Sequence, residues 1–417
     1  MVLLDKTGAL DIDGAKVFPI GVSNPPPIGG KTTDGKDAYA ELASAGVNFM
    51  RIGMQDWTLA GLDQKLATTK QFLDTGHAHG MRSWLWLGET PFLPGHPDNR
   101  ELLQKIVPAL KDHPGLGAWK GIDEPHNPKG GKWRPVDAKA MADAYKLVKQ
   151  LDPGHPLVVT HEPLSQLADL KPYAAACDIT GADIYPVSYP PGTHAATPNK
   201  DISLVGDLTT KMAQVAQGRP VWMTLQIAWS GMAARVGSTD LVPRFPTLLE
   251  ERFMVYQAIV NGARGLMFFG GNMTQVMRPI DAKTGWNWTF WQQVLRPVLS
   301  ELNSPSVAPA LVAPASKAKV TASAKDIELA TRETPDLLYV IAVRRGAATS
   351  RVTFSGLPSR HDGTAIGGGQ VMFEYAQEPP PPPLLPDKQQ FRSVDVSGGS
   401  FKDWLGPHDA RVYRFQL

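Results

Sequence analysis

GAWKGIDEPHNP, residues 117–128, is the stretch on which the fold turns. Residues 117–123 form a compact, largely apolar run, and then Glu124 and Pro125 end it. Proline has no N–H for a β-ladder, so the chain must leave its sheet there. Residues 98–112 before this run and 137–151 after it carry apolar side chains at helical spacing. A short strand between two helices is one β/α unit, and repetition of that unit marks a parallel sheet.

The unit repeats in both directions. VFPIGV (17–22), VNFMRI (47–52) and MRSWLWL (81–87) precede it, and LVVTH (157–161), DITGADIYPV (178–187), PVWMTLQ (220–226) and GLMFF (265–269) follow. Further helices are expected over 37–45, 62–79 and 246–261, and the helices stop near Gly or at Asp-Pro-Gly 152–154. Eight such strands in about 300 residues predict a (β/α)8 barrel, the TIM-barrel architecture. A doubly wound open sheet would place GxGxxG after the first strand. Here that place holds SNPPPIGGKTTDG (23–35), expected to lie over the barrel mouth.

Beyond SPSVAPALVAPAS (304–316) the pattern changes to apolar–polar alternation. Strands are expected at 318–323, 326–331, 337–345, 350–356, 369–376, 391–399 and 410–417. Short strands with frequent turns predict a small all-β sandwich. The domains are therefore expected at 1–305 and 306–417, with the proline-rich 378–390 as a polyproline excursion from the sandwich.

Lys+Arg at 42 against Asp+Glu at 40, with no long run of one sign, gives no electrostatic grip on nucleic acid. No apolar stretch reaches the roughly 20 residues of a membrane span. One cysteine, Cys177, excludes an intrachain disulfide and leaves no thiolate cluster. His77 and His79 are two apart and do not share a helical face, so no metal is expected, and no cofactor motif is present. The opening MVLLDKTGALDIDG is too polar for a signal peptide, which leaves two expectations. The protein is secreted or periplasmic with its export sequence absent from this chain, or it is cytoplasmic.

In a barrel of this kind the chemistry lies at the C-terminal strand ends. Glu124, held there among Trp, His and Pro, would be partly desolvated, and its raised pKa would suit a general acid. The alternative is an acidic cap on the next helix. His161, Asp183, Tyr185, Gln226 and Trp229 fall at other strand ends, with Trp86, Glu89, Phe268 and Phe269 from strands three and eight. Polar groups with aromatic rings suit a saccharide, whereas the plain alternative for the aromatics is core packing. WNWTFWQQ (286–293) is expected to begin the last barrel helix.

Residues 17 to about 300 resemble a clan A glycoside hydrolase, whose acid/base glutamate ends strand four in Asn-Glu-Pro or Asp-Glu-Pro. Asp123, Glu124 and Pro125 match that motif, and Arg51 falls where the clan keeps an arginine. The trailing β domain is similar to the accessory sandwiches of such enzymes. The resemblance implies hydrolysis of an oligo- or polysaccharide with Glu124 as general acid and no cofactor. The sugar would be held by Arg51, Trp86, Asp123, His161, Tyr185, Gln226, Trp229 and Phe269. One departure stands out: Gln226 occupies the strand-seven position where retaining members carry a nucleophilic glutamate. Three explanations stand open. Asp183, or next Glu162, acts as base for an inverting reaction; an engineered glutamate-to-glutamine exchange has removed the nucleophile; or the barrel binds glycan without cleaving it. An aldolase or isomerase would need a Schiff-base lysine or a metal cluster at strand ends, and Lys120 lies inside strand four.

Overall fold

The computed structural model describes residues 2–127, 134–162, 165–187, 197–227, 245–270, 286–373 and 391–417. Trp229 and the proline-rich 378–390 lie outside the described residues. The chain opens on three short strands, β1 (Val2–Leu4), β2 (Leu10–Ile12) and β3 (Ala15–Val17), paired antiparallel. Eight strands follow: β4 (Ile20–Val22), β5 (Phe49–Gly53), β6 (Arg82–Trp86), β7 (Leu116–Asp123), β8 (Leu157–His161), β9 (Ile179–Ile184), β10 (Val221–Gln226) and β11 (Ala263–Phe269). They pair in sequence order, and β11 returns to β4 to close the barrel. Each falls on an expected stretch. The first is split by Pro19: Val17 ends β3 and only Ile20–Val22 enters the barrel.

The helices between them start and stop where local chemistry demands. The Asp37 carboxylate accepts from the Tyr39 and Ala40 N–H groups at 2.9 and 3.0 Å, opening α1 (Ala38–Ser44). Asp137 does the same for Ala140 at 2.8 Å ahead of a helix over Ala138–Leu151. Such caps contribute about 1 kcal/mol each. Asp152 ends that second helix by accepting from Gly154 N–H at 2.9 Å and from the Trp119 indole at 2.8 Å.

The opening sheet has a clear purpose. Val2, Leu10 and Ile12 share one apolar cluster with Phe49, Val158, Ile179 and Trp222, at the first or second position of their barrel strands, and with Trp84, Ala118 and Met267 further along theirs. The sheet therefore plugs the N-terminal end of the barrel, and the C-terminal ends are left to build a site. Strands of three residues carry too little periodicity to be read from sequence, which is why this plug was not foreseen.

By compactness the chain divides into Met1–Phe245 with Ala263–Thr289, and Pro246–Gly262 with Phe290–Leu417, rather than at residue 305. Within the second unit, β12 (Thr321–Ala322), β15 (Ser350–Ser355) and β18 (Ser400–Leu405) form one sheet. The other contains β13 (Ile327–Glu333), β14 (Leu337–Arg344), β16 (Gly368–Met372), β17 (Arg392–Asp395) and β19 (Ala410–Gln416). Val340, Val352, Phe354, Phe401, Tyr413 and Phe415 are among the residues of their common core, as a sandwich requires. β18 was not expected. It places Asp403 inward, at 5% exposure, and Trp404 outward, at 59%, so its alternation carries the wrong residue types. Asp403 is tolerated because Arg392 at 2.8 Å and the Tyr413 hydroxyl at 3.0 Å satisfy it.

The helix Leu248–Val260 belongs to this second unit, and so does the helical run that starts at Trp286, from Phe290 onward. Its Arg252 meets Glu301 in a fork, with Nε 2.9 Å from Oε2 and Nη2 2.8 Å from Oε1. The Tyr256 hydroxyl donates to Glu301 at 2.7 Å, and Arg252 Nη1 donates to the Ala410 carbonyl at 2.5 Å.

Candidate active site

Side chains two residues along a strand share a face, so the interior layer above the plug follows from the plug itself. Phe49, Trp84, Ala118 and Val158 in the cluster put Arg51, Trp86, Lys120 and Thr160 in the next layer up. The Arg51 guanidinium lies 5.1 Å from the Trp86 ring centroid and 5.9 Å from that of Phe269. Its Nε donates to the Ser23 carbonyl at 3.1 Å and its Nη2 to Asn24 Oδ1 at 3.4 Å. Trp86 is set by its backbone: its carbonyl accepts from the Trp57 indole at 3.1 Å. A Cβ on Gly53, where φ is +101°, would stand 2.3 Å from that same carbonyl oxygen. Only glycine permits both the angle and the approach.

Lys120 is 1% exposed, yet its Nζ lies 2.6 Å from Asp123 Oδ1 and 5.2 Å from the Trp86 ring centroid. Burial pushes the Lys120 amine down from its usual pKa, while Asp123 pulls it back up. Burial would raise the Asp123 carboxyl, but Lys120, then Arg51 and Arg134, outweigh it and hold that group below its ordinary range. Asp123 is therefore a fixed anion at the mouth. Lys120→Met should release that hold: urea denaturation should find about 1–3 kcal/mol lost, less than for a fully buried pair because the Asp123 side chain keeps 35% exposure. No loss would mean the pair is not formed.

Glu124 follows with φ at +43°, a left-handed conformation that costs a non-glycine residue about 1–3 kcal/mol. Three contacts impose it. The Glu124 N–H donates to the Thr160 carbonyl at 2.9 Å, and Arg134 donates to the Glu124 and Asp123 carbonyls at 3.0 and 2.8 Å. Arg134 is itself anchored by Glu89 at 3.2 Å. Strain of this kind concentrates where a side chain must be aimed rather than merely packed.

The Glu124 carboxyl accepts from Asn127 Nδ2 at 2.6 Å, and the Asp183 carboxyl is its electrostatic neighbour. Burial raises its pKa, helped by the charges of Asp123 and Glu162, and the bond from Asn127 only partly offsets this. Asp183 is pushed well above the ordinary carboxyl range by burial, then by Glu124 and Asp123, and Tyr185 offsets this only in part. Two neighbouring buried carboxyls cannot both ionise readily, so the pair keeps a proton above the usual carboxylate pH. The Tyr185 ring lies 5.5 Å from that of Phe269, extending an aromatic wall beside the pair.

Other expected residues are placed elsewhere. Glu162 is buried, and both its oxygens accept from Ser165, one from the N–H at 2.9 Å and one from the hydroxyl. That hydroxyl is also 2.6 Å from His126 Nδ1, so Glu162 organises its own loop. His161 has the opposite strand parity to Val158 and Thr160, and its fully buried ring packs 5.8 Å from Tyr173. Burial lowers its pKa to about 3, so it is a neutral packed histidine. Gln226 is fully buried, and its amide pairs with the main chain of Val187. Phe268 is in the core and Phe269 is half-buried at the mouth. Sequence reasoning missed Lys120 and Arg134. A charged residue inside an apolar strand was the signal for Lys120, whereas nothing local marks Arg134. Among the described residues no set of three His, Cys, Asp or Glu side chains is placed to hold a metal ion.

No protein-family model matches the chain, and no curated protein sequence matches it. Solved structures do. A family 5 glycoside hydrolase from Bacteroides vulgatus superposes with a TM-score of 0.63 at 11% identity, covering 100% of this chain and 93% of that one. A family 30 subfamily 8 xylanase from Clostridium acetobutylicum gives 0.54 at 11%, covering 96% of each. A family 51 α-L-arabinofuranosidase from Bifidobacterium longum gives 0.52 at 12%, covering 96% of this chain and 95% of that one. At such identities the likeness establishes the fold: a (β/α)8 barrel followed by a β-sandwich.

Proposed function

We propose that the chain is a glycoside hydrolase acting on an oligo- or polysaccharide, with Glu124 as general acid and Asp183 as its proton partner. The observation that carries this reading is the pair of buried carboxyls at the C-terminal mouth of the barrel: burial raises both, the Asp123 and Glu162 charges add to it at Glu124, and the Glu124 charge adds to it at Asp183. A carboxyl that keeps its proton near neutral pH can protonate a departing glycosidic oxygen. Asp123, held ionised by Lys120, stabilises the positive charge that develops on the sugar ring. Trp86, Tyr185 and Phe269 offer faces for sugar CH groups, and Arg51 offers donors for hydroxyls. The solved glycoside hydrolases that share the fold support the same class.

The role first expected of Asp183 changes in this scheme. Catalytic carboxyls flank the bond at about 5–5.5 Å in retaining enzymes and about 6.5–9.5 Å in inverting ones. A general base must be ionised, whereas burial and the Glu124 charge hold the Asp183 carboxyl protonated, so Asp183 shares the proton rather than activating water across the ring. The second reading, a glycan-binding barrel, is favoured by Glu162, both of whose oxygens are engaged by Ser165.

The pH dependence separates the two. Loss of the last proton from a repelling pair occurs at raised pH, so hydrolysis should persist through neutrality and fall on the alkaline side. Asp183→Asn removes the repulsion and leaves an amide N–H to stabilise the Glu124 carboxylate. Its alkaline limb in kcat/KM should therefore move to lower pH by about one unit or more. An unmoved limb would detach Asp183 from the reaction.

A further inference from the structure

Gln226 ends β10 with its side chain fully buried. Its Oε1 accepts from the Val187 N–H at 2.8 Å, and its Nε2 donates to the Val187 carbonyl at 3.0 Å. The amide thus meets the N–H and the C=O of a single residue, as a residue of a neighbouring antiparallel strand would. Val187 lies two residues past Tyr185 and four past Asp183, on the segment that leaves β9. Asn48 is a side-chain amide that also bridges main-chain groups, here of two residues: it accepts from Ile20 N–H at 2.8 Å and donates to the Phe18 carbonyl at 3.0 Å.

We propose that Gln226 is a positioning residue for the Asp183–Tyr185 segment, its amide required as such, and not a nucleophile position from which a carboxylate has been lost. The inference rests on the glycoside hydrolase reading only for its kinetic consequence. Its physical basis is the donor–acceptor match. An ionised carboxylate only accepts, so at this place one oxygen would face the Val187 carbonyl oxygen with no proton between them. A buried carbonyl left without its donor, beside a buried charge, is costly, and the group would hold its proton instead. A neutral carboxylic acid, by contrast, can accept from the N–H and donate to the carbonyl, and so can imitate glutamine.

That difference gives the test. In Gln226→Glu the introduced carboxyl should have a folded-state pKa above its unfolded value of about 4.3. A raised folded pKa means stability present below the unfolded value and lost as pH rises through the folded one. Melting temperature measured without substrate from pH 4 to pH 8 should match the parent at the acid end and fall progressively below it toward pH 8. Gln226→Met, which has no titratable group, should be lower than the parent by a similar amount at every pH.

Hydrolysis should follow the same course. In Gln226→Glu kcat should be down roughly tenfold or more at pH 7 and recover toward the parent value near pH 4–5, with KM changing less. A melting offset independent of pH would overturn the proposal. So would a gain of hydrolysis in Gln226→Glu at neutral pH, which would mean that a nucleophile had been restored. If the parent and both variants cleave nothing, the glycoside hydrolase reading fails, and the melting profile still decides whether the amide is required.

Discussion

Glu124→Gln is expected to lower kcat for glycan hydrolysis by about 10²- to 10⁴-fold, the usual contribution of a positioned general acid. KM should change little, because the amide has the shape of the carboxyl and removes an interaction made in the transition state. The fold should tolerate the exchange, because the amide oxygen can still accept from Asn127. The stability change has a defined sign. Glu124 has a raised folded pKa, so its ionisation weakens the native state as pH rises through that value. The variant should therefore resist alkaline denaturation better than the parent while losing activity. Kinetics at several pH values beside melting curves read both effects, and loss of activity through unfolding would show as a lowered melting temperature.

The second large effect concerns the sandwich unit. Glu301→Ala should destabilise that unit by about 3–5 kcal/mol, because it removes the buried counter-charge of Arg252. Both partners are almost inaccessible, at 6% and 3% exposure, so water cannot take over from the lost carboxylate. Replacing both residues with apolar ones of similar size should restore much of the loss, since the desolvation cost of the pair disappears with it. Urea denaturation of the single and double variants measures the difference. A single variant within about 1 kcal/mol of the parent would mean that Arg252 finds other compensation.

The barrel was legible because its strands are long apolar runs set between periodic helices. Even helix boundaries could be read at Asp37, Asp137 and Asp152, where side-chain oxygens satisfy backbone donors locally. Features that depend on tertiary partners were not legible. Asp403 reads as a loop residue until Arg392 and Tyr413 are seen to satisfy it. His161 reads as a strand-end ligand, because strand parity at the mouth depends on a register that the sequence does not reveal. Glu124 was found through Pro125, a local signal. Its electrostatic neighbour Asp183 comes from β9, with β8 between it and β7, and that proximity leaves no trace in either segment. The division of the chain was hidden for a similar reason: Leu248–Val260 stands between two barrel strands in sequence but packs with the sandwich unit.

The most direct measurement is release of new reducing ends from a panel of oligo- and polysaccharides by the parent and by Glu124→Gln, with calorimetric binding of the same saccharides run in parallel. The account predicts that the parent cleaves at least one of them, and that Glu124→Gln binds that saccharide with similar affinity but leaves it intact. Binding by both proteins with cleavage by neither, at any pH from 4 to 9, would contradict it and assign the barrel to glycan recognition.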